Sequence, residues 1–184
     1  MPALALWTPE DGLLGAVAPL GLAAAAGTAL VVDLDPEGPG YPGPASLAEL
    51  VRDGPRRSDL QPQRRGMAVL RNGGIPPHQA TQVVDALMAG WESVVLRLPP
   101  RPAPAQRPVP VVRVHPLFPG GLFPPPDGPA AYQATGWRVP SPGPGPVLPR
   151  PRPETLARLL AGVVPARDRW LRAWGEVWRY PWER

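Results

Sequence analysis

The sequence predicts an α/β fold with three layers, a mostly parallel sheet between flanking helices, proline-rich loops and a tryptophan-rich C-terminal helix. Three observations predict it. First, residues 29–32 (ALVV) are a short apolar run with two β-branched side chains, the pattern of a strand buried on both faces of a parallel sheet. Second, comparable runs at 3–7, 66–70, 91–98 and 109–114 are interspersed with helical segments at 12–26, from Ser46, and at 80–89, the order that builds βαβ units. Third, the run at 29–32 ends in two acids one residue apart, Asp33 and Asp35, and is closed by Pro36 and Gly38. Those acids stand at a strand's carboxyl end, the edge where open α/β sheets bind ligands.

The elements follow in order. Residues 3–7 (ALALW) read as the first strand, and 12–26 as a helix weakened by Gly15, Pro19 and Gly21. Pro19 is expected to kink that helix or delay its start. After the strand at 29–32, the loop EGPGYPGPA is too rich in proline and glycine for regular structure, and its prolines predict a stiff loop. Tyr41 in that loop either contacts a partner or packs on the sheet. Ser46, with Glu49 three residues on, has the spacing of a capping box. Residues 66–70 read as a third strand ending in the turn RNGG, and 80–89 as a helix whose Val83, Val84, Leu87 and Met88 share one face. Residues 91–98 and 109–114 supply two more strands, with Pro110 suited to a strand's first residues or an edge.

Residues 1–115 form the expected α/β core. Residues 116–153 form a segment dominated by proline and glycine, with one strand expected at 131–139 and a stiff spacer elsewhere. Residues 154–184 are expected to be helical and to pack on the core or on a partner. In the first of two helices there, at 154–164, Leu156, Leu159, Leu160 and Val163 lie on one side. In the second, Trp170, Trp174 and Trp178 recur at every fourth residue, with Arg167, Arg169, Arg172 and Arg179 around them. Three readings of the tryptophan face stand open: core, protein interface, and contact with a membrane surface.

Composition sets further limits. A chain of 184 residues buries about two-thirds of its unfolded surface in one core. Its 32 prolines and 20 glycines cluster in loops rather than spreading evenly. There is no cysteine, which excludes disulfides and thiolate metal sites. The two histidines, His78 and His115, fall on different elements with no ligand spacing, so no metal site is expected. Charge is asymmetric: residues 1–51 carry −6 and residues 52–184 carry +10, every basic residue being arginine. That basic back half suits DNA or an anionic membrane, or is a solvated surface. The acidic first run lacks the basic start of a signal peptide. The uncharged stretch 13–32 reads as helix plus buried strand rather than a membrane span. A cytoplasmic location is expected, with peripheral association at the inner membrane face as the alternative.

The ordered set carries a family resemblance. The apolar run followed by DLDPEG, then SLAELV, then SDLQPQRRGMAVLRNGG, then WESVVLRLPP, resembles the MinD/ParA group of P-loop ATPases, including the CpaE/TadZ-type proteins of pilus assembly, over residues 3–100. In that group a glycine-rich loop and its lysine bind phosphates. The matching stretch here is TPEDGLLGAV, which keeps only Gly12 and Gly15 and places Glu10 and Asp11 where the resemblance implies phosphate. No lysine is available anywhere in the chain. The resemblance also implies a magnesium-linked aspartate at the end of the strand matching SVVLRLPP, and that position is Arg97. It therefore implies a pseudo-ATPase with no nucleotide or other cofactor, acting as a scaffold or positioning factor for a pilus, secretion or partitioning assembly. A protein partner is expected, and homodimerisation by analogy.

On chemistry alone, two histidines and no cysteine leave no material for a nucleophilic triad, and no catalytic residue is assigned. Asp33 and Asp35 are expected to pair with arginine or cap a loop. The alternative of a different class is a peripheral membrane- or DNA-binding module that uses the arginine-rich back half and the tryptophan helix.

Overall fold

Nine consecutive buried residues, from Gly15 to Ala23, explain how the chain uses its least polar stretch. A helix apolar all round its circumference is stable only when covered on all sides, and α1 (Leu13–Ala26) lies between the sheet and two later helices. In the computed structural model, residues 3–10, 12–56, 58–59, 66–100 and 109–182 are described. The strands are β1 (Ala3–Trp7), β2 (Ala29–Asp33), β3 (Met67–Leu70), β4 (Val94–Arg97), β5 (Val111–Leu117), β6 (Ala131–Ala134) and β7 (Val147–Leu148). They form a seven-stranded sheet in the order β3-β2-β4-β1-β5-β6-β7, with every pairing parallel. Every residue of β2 and β4 is buried, as expected for central strands covered on both faces.

Helices cover both faces. On one side α1 packs with α4 (Pro153–Leu160) and α5 (Arg169–Arg179) over Leu4, Leu6, Val31, Val95, Val112 and Val114. On the other, α2 (Leu47–Asp53) and α3 (Thr81–Gly90) lie over Leu30, Val32, Val94 and Leu96. The alternation of these two sets along β2 and β4 is the period-two pattern of a strand. Ser46 and Glu49 form the capping box read from the sequence: the Ser46 hydroxyl accepts from the Glu49 amide, and Oε2 of Glu49 accepts from the Ser46 amide at 2.7 Å.

Several boundaries differ from the sequence reading. The proline- and glycine-rich segment holds two strands, not one, because β7 joins β6 at 131–134, and β5 runs on through Pro116 to Leu117. Proline lacks a donor but keeps its carbonyl acceptor. The Pro110, Pro144 and Pro146 oxygens accept from the amides of Ala5, Ala130 and Tyr132 at 2.8–3.1 Å. Proline next to these strands therefore does not stop the ladder. Pro19 does not delay α1, which starts at Leu13. The helix expected over 154–164 ends at Leu160 in a Schellman turn. There the Val163 amide donates to Arg158 O, the Gly162 amide donates to Leu159 O, and Gly162 takes φ 76°. Among the described residues no helix is long and apolar enough to cross a membrane, and residues 13–32 divide between α1 and β2.

The tryptophan helix is part of the core. Trp170 and Trp174 are 1% and 0% exposed, stacked edge to face at 5.5 Å between ring centres, and packed on α1 at Gly21. Each tryptophan buries roughly 150–250 Å², about 4–6 kcal/mol of apolar transfer, so these two rings supply much of what holds α5 in place. Trp170 Nε1 donates to Gln133 Oε1 and Trp178 Nε1 to Leu22 O, both at 2.7 Å. The interface and membrane readings of Trp170 and Trp174 are therefore overturned, since neither ring is available to a partner. Trp178 is half-buried with its indole N–H satisfied.

Candidate functional site

The register of the sheet assembles the site. β2 and β4 are adjacent and parallel, and their last paired residues are Asp33 and Arg97. The two oppositely charged side chains thus leave the carboxyl edge side by side, and Asp35 follows two residues beyond. The Arg97 guanidinium lies between the acids, with Nη2 donating to Asp35 Oδ2 at 3.0 Å and Nη1 to Asp33 Oδ2 at 3.4 Å. Nη1 also donates to Pro39 O at 2.6 Å, and the Tyr41 ring faces the guanidinium at 5.3 Å. All three charged residues are buried, Asp33 at 1%, Arg97 at 2% and Asp35 at 4% exposure.

The remaining carboxylate oxygens are engaged as well. Asp33 Oδ1 accepts from the Asp35 amide at 3.1 Å, and Asp35 Oδ1 accepts from the amides of Glu37 and Gly38. The chain bends closely over the cluster at Gly38, where a β-carbon would strike both Asp35 Oδ2 and Arg97 Nη2. Burial raises the Asp33 carboxyl to about 6 against the opposing pull of Arg97. Tyr41 is also raised, chiefly by burial. Its hydroxyl donates to Ala16 O at 2.7 Å, which ties the loop after β2 to α1. The expectation that Asp33 and Asp35 pair with arginine and cap a loop therefore holds for both. Tyr41, 5% exposed, is a packing residue, and its reading as a partner contact is overturned.

Asn72 also belongs here and was not singled out from the sequence. It is buried, its Nδ2 donates to Asp33 O, and its Oδ1 accepts from the Gly74 and Ile75 amides at 2.8 Å. The turn signal RNGG pointed to a bend but not to this crosslink between β3 and β2.

The other half of the site is the start of α1. Glu10 folds its own carboxylate onto the helix N-terminus: Oε1 accepts from the Gly12 amide at 2.9 Å and Oε2 from the Leu14 amide at 2.6 Å. The Thr8 hydroxyl accepts from the Glu10 amide at 3.3 Å. These are amides that a helix N-terminus would otherwise offer to an external anion. The room for this arrangement comes from the two surviving glycines. A β-carbon on Gly12 would stand 2.6 Å from Glu10 Oε1, and one on Gly15 would stand 3.0 Å from Glu10 O. Asp11 lies outside the described residues. Beside Glu10 a groove of about 540 Å³ opens between α1 and the ends of β5 and β6, lined by Leu13, Val17, Phe118 and Leu156 among others.

No family model matches the chain, and no curated protein matches it. Among solved structures it is similar to that of cobyrinic acid a,c-diamide synthase from Mycobacterium smegmatis with bound ADP and magnesium, at 13% identity. That likeness covers 97% of this chain and 92% of the other, with a TM-score of 0.42. A likeness at that score assigns neither ligand nor activity to this chain.

A magnesium nucleotide of the kind P-loop ATPases bind does not fit these residues as they stand. The amides of Gly12 and Leu14 already hold a carboxylate, and the acids at the strand ends already hold a guanidinium. Among the described residues no three histidine, aspartate or glutamate side chains stand together as a metal site. Arg167 and Arg172 are exposed and lie away from this cluster, on the connection to α5 and on α5 itself.

Proposed function

We propose that the chain is a non-catalytic relative of the MinD/ParA group of P-loop ATPases, serving as a scaffold or positioning factor that binds a protein partner without nucleotide. The observation that carries this reading is that both halves of the site are filled from within, by Glu10 at the α1 N-terminus and by Arg97 between Asp33 and Asp35. A carboxylate on helix amides takes the role of a bound phosphate, and a buried arginine takes the role of a cation. Both substitutes are covalently part of the chain, so they occupy these positions without a ligand. The loop after β2 is held the same way, through Pro39, Gly38 and Tyr41, and does not need a ligand to order it.

Titration of the purified protein with magnesium-ATP and magnesium-ADP by calorimetry, with sedimentation to report mass, tests the proposal. No heat at millimolar nucleotide and an unchanged mass are expected. Heat of binding accompanied by a change of mass would overturn it.

A further inference from the structure

β5 and β6 are parallel neighbours, so residues 118–130 must carry the chain from the carboxyl edge of the sheet back to the opposite edge. A helix usually makes such a return. Here an extended strap makes it, with one short helical turn at Pro119–Gly121. Val112, Val114 and Ala131 belong to the face that α1 and α5 cover, so His115 and Tyr132 point the other way, under the strap. The Phe123 ring meets His115 at 6.5 Å and Phe118 at 6.3 Å between ring centres, and His115 meets Tyr132 at 6.1 Å. Farther along, Arg113 donates to Asp127 O. Between these two anchors stand Pro124, Pro125 and Pro126. Phe123, Pro126 and Pro129 are half-buried, while Pro124, Pro125, Asp127 and Gly128 are exposed. That is the three-residue repeat of a polyproline II helix, and each residue followed by proline is sterically confined to that extended region. Leu122, just before, is 67% exposed. Among the described residues neither the Pro124 nor the Pro125 carbonyl accepts a hydrogen bond.

We infer that Leu122 and the outward ridge of Pro124 and Pro125 dock into an aromatic-lined groove on a partner protein. Proline rings with fixed φ pack between aromatic side chains, and their free carbonyls accept from the tryptophan or tyrosine donors of such a groove. The anchors at Phe123 and Asp127 hold the strap in the extended form before a partner arrives, so little ordering entropy is lost on binding. The stiff spacer expected from the sequence is thereby also a presented ligand. A partner of this class deepens the scaffold reading and rests on it.

Isotope-labelled SH3, WW and EVH1 domains, each titrated with the unlabelled full chain to about 1 mM and followed by NMR, test it. Shifts confined to the aromatic groove of at least one domain are expected. The double variant Pro124→Ala with Pro125→Ala should weaken that binding on the order of tenfold, and Leu122→Ser should weaken it as well. Pro142→Ala, at an exposed proline off the strap, should leave it unchanged. Urea midpoints of these surface variants report that the fold is intact. Silent grooves in all the domains, shifts outside the grooves, indifference to the double variant, or an equal loss in Pro142→Ala would each overturn the docking surface. Nucleotide binding in the calorimeter would overturn the scaffold reading and leave these titrations as they are, whereas silent grooves beside a silent calorimeter would overturn the docking surface alone.

Discussion

Replacing Arg97 by leucine removes one cation from between two carboxylates that have no access to water. The side chain is 2% exposed and donates to Asp33, Asp35 and Pro39, so the substitution leaves two buried acids facing each other and one carbonyl without its donor. Breaking a buried ion pair from one side costs about 3–5 kcal/mol, a large share of the roughly 5–15 kcal/mol that holds a domain together. Protonation offers partial relief. Asp33 is already raised to about 6 with the arginine present, and without it Asp33 should take up a proton more readily. Urea unfolding of Arg97→Leu followed by tryptophan fluorescence should therefore show a loss near the upper end of that range at pH 8 and a smaller one at pH 5. Adding Asp33→Asn and Asp35→Asn should restore most of the stability, because asparagine keeps the Oδ1 acceptor used by the Asp35, Glu37 and Gly38 amides while removing the charge. A loss below about 1 kcal/mol, or a loss of the same size at both pH values, would refute the reasoning that these three residues form one electrostatic unit.

Two further expectations come from the same core. A carboxyl raised from 3.8 to about 6 in the folded state binds more protons there than in the unfolded chain, so its contribution is fully present below pH 4 and is lost as pH rises through 6. That difference is about 3 kcal/mol; the fall in unfolding free energy between pH 4 and 7 should be flattened in Asp33→Asn, and an unchanged slope would dismiss Asp33 as its source. Gly21→Ala places a β-carbon 2.6 Å from Trp170 Cη2 and against the Trp174 indole nitrogen, both on buried rings. The overpacking cost of about 1–3 kcal/mol should exceed the ~1 kcal/mol that alanine offers over glycine in a helix, so thermal melts should show net destabilisation, and a rise in Tm would contradict the packing of α5 on α1.

Much of the layout follows from local sequence. The runs ALALW, ALVVD and VVLR are strands because short apolar, β-branched segments suit the inside of a parallel sheet, and Ser46 caps α2 because its hydroxyl and Glu49 reach each other over one turn. The acids of DLDP at a strand end, and Arg97 at another, were also legible as positions. That they form a single cluster depended on β2 and β4 being neighbours in register, a pairing of residues 64 positions apart that no local pattern encodes. The same holds for Tyr41, whose ring found Arg97 and whose hydroxyl found Ala16, and for Glu10, whose four-residue reach to Leu14 looks like a lost phosphate loop until the carboxylate is seen on the amides.

The sequence by itself determined the α/β class, the succession of the first five strands along the chain and the chemical types at the carboxyl edge, because these rest on periodicity and on what each side chain can bond. Only the tertiary structure decided that β7 exists, that Trp170 and Trp174 are core, and that Val163 and Val164 are surface. In each of these cases amphipathic residues had more than one stable place to go, and the choice fell to which neighbouring surface was available to cover them.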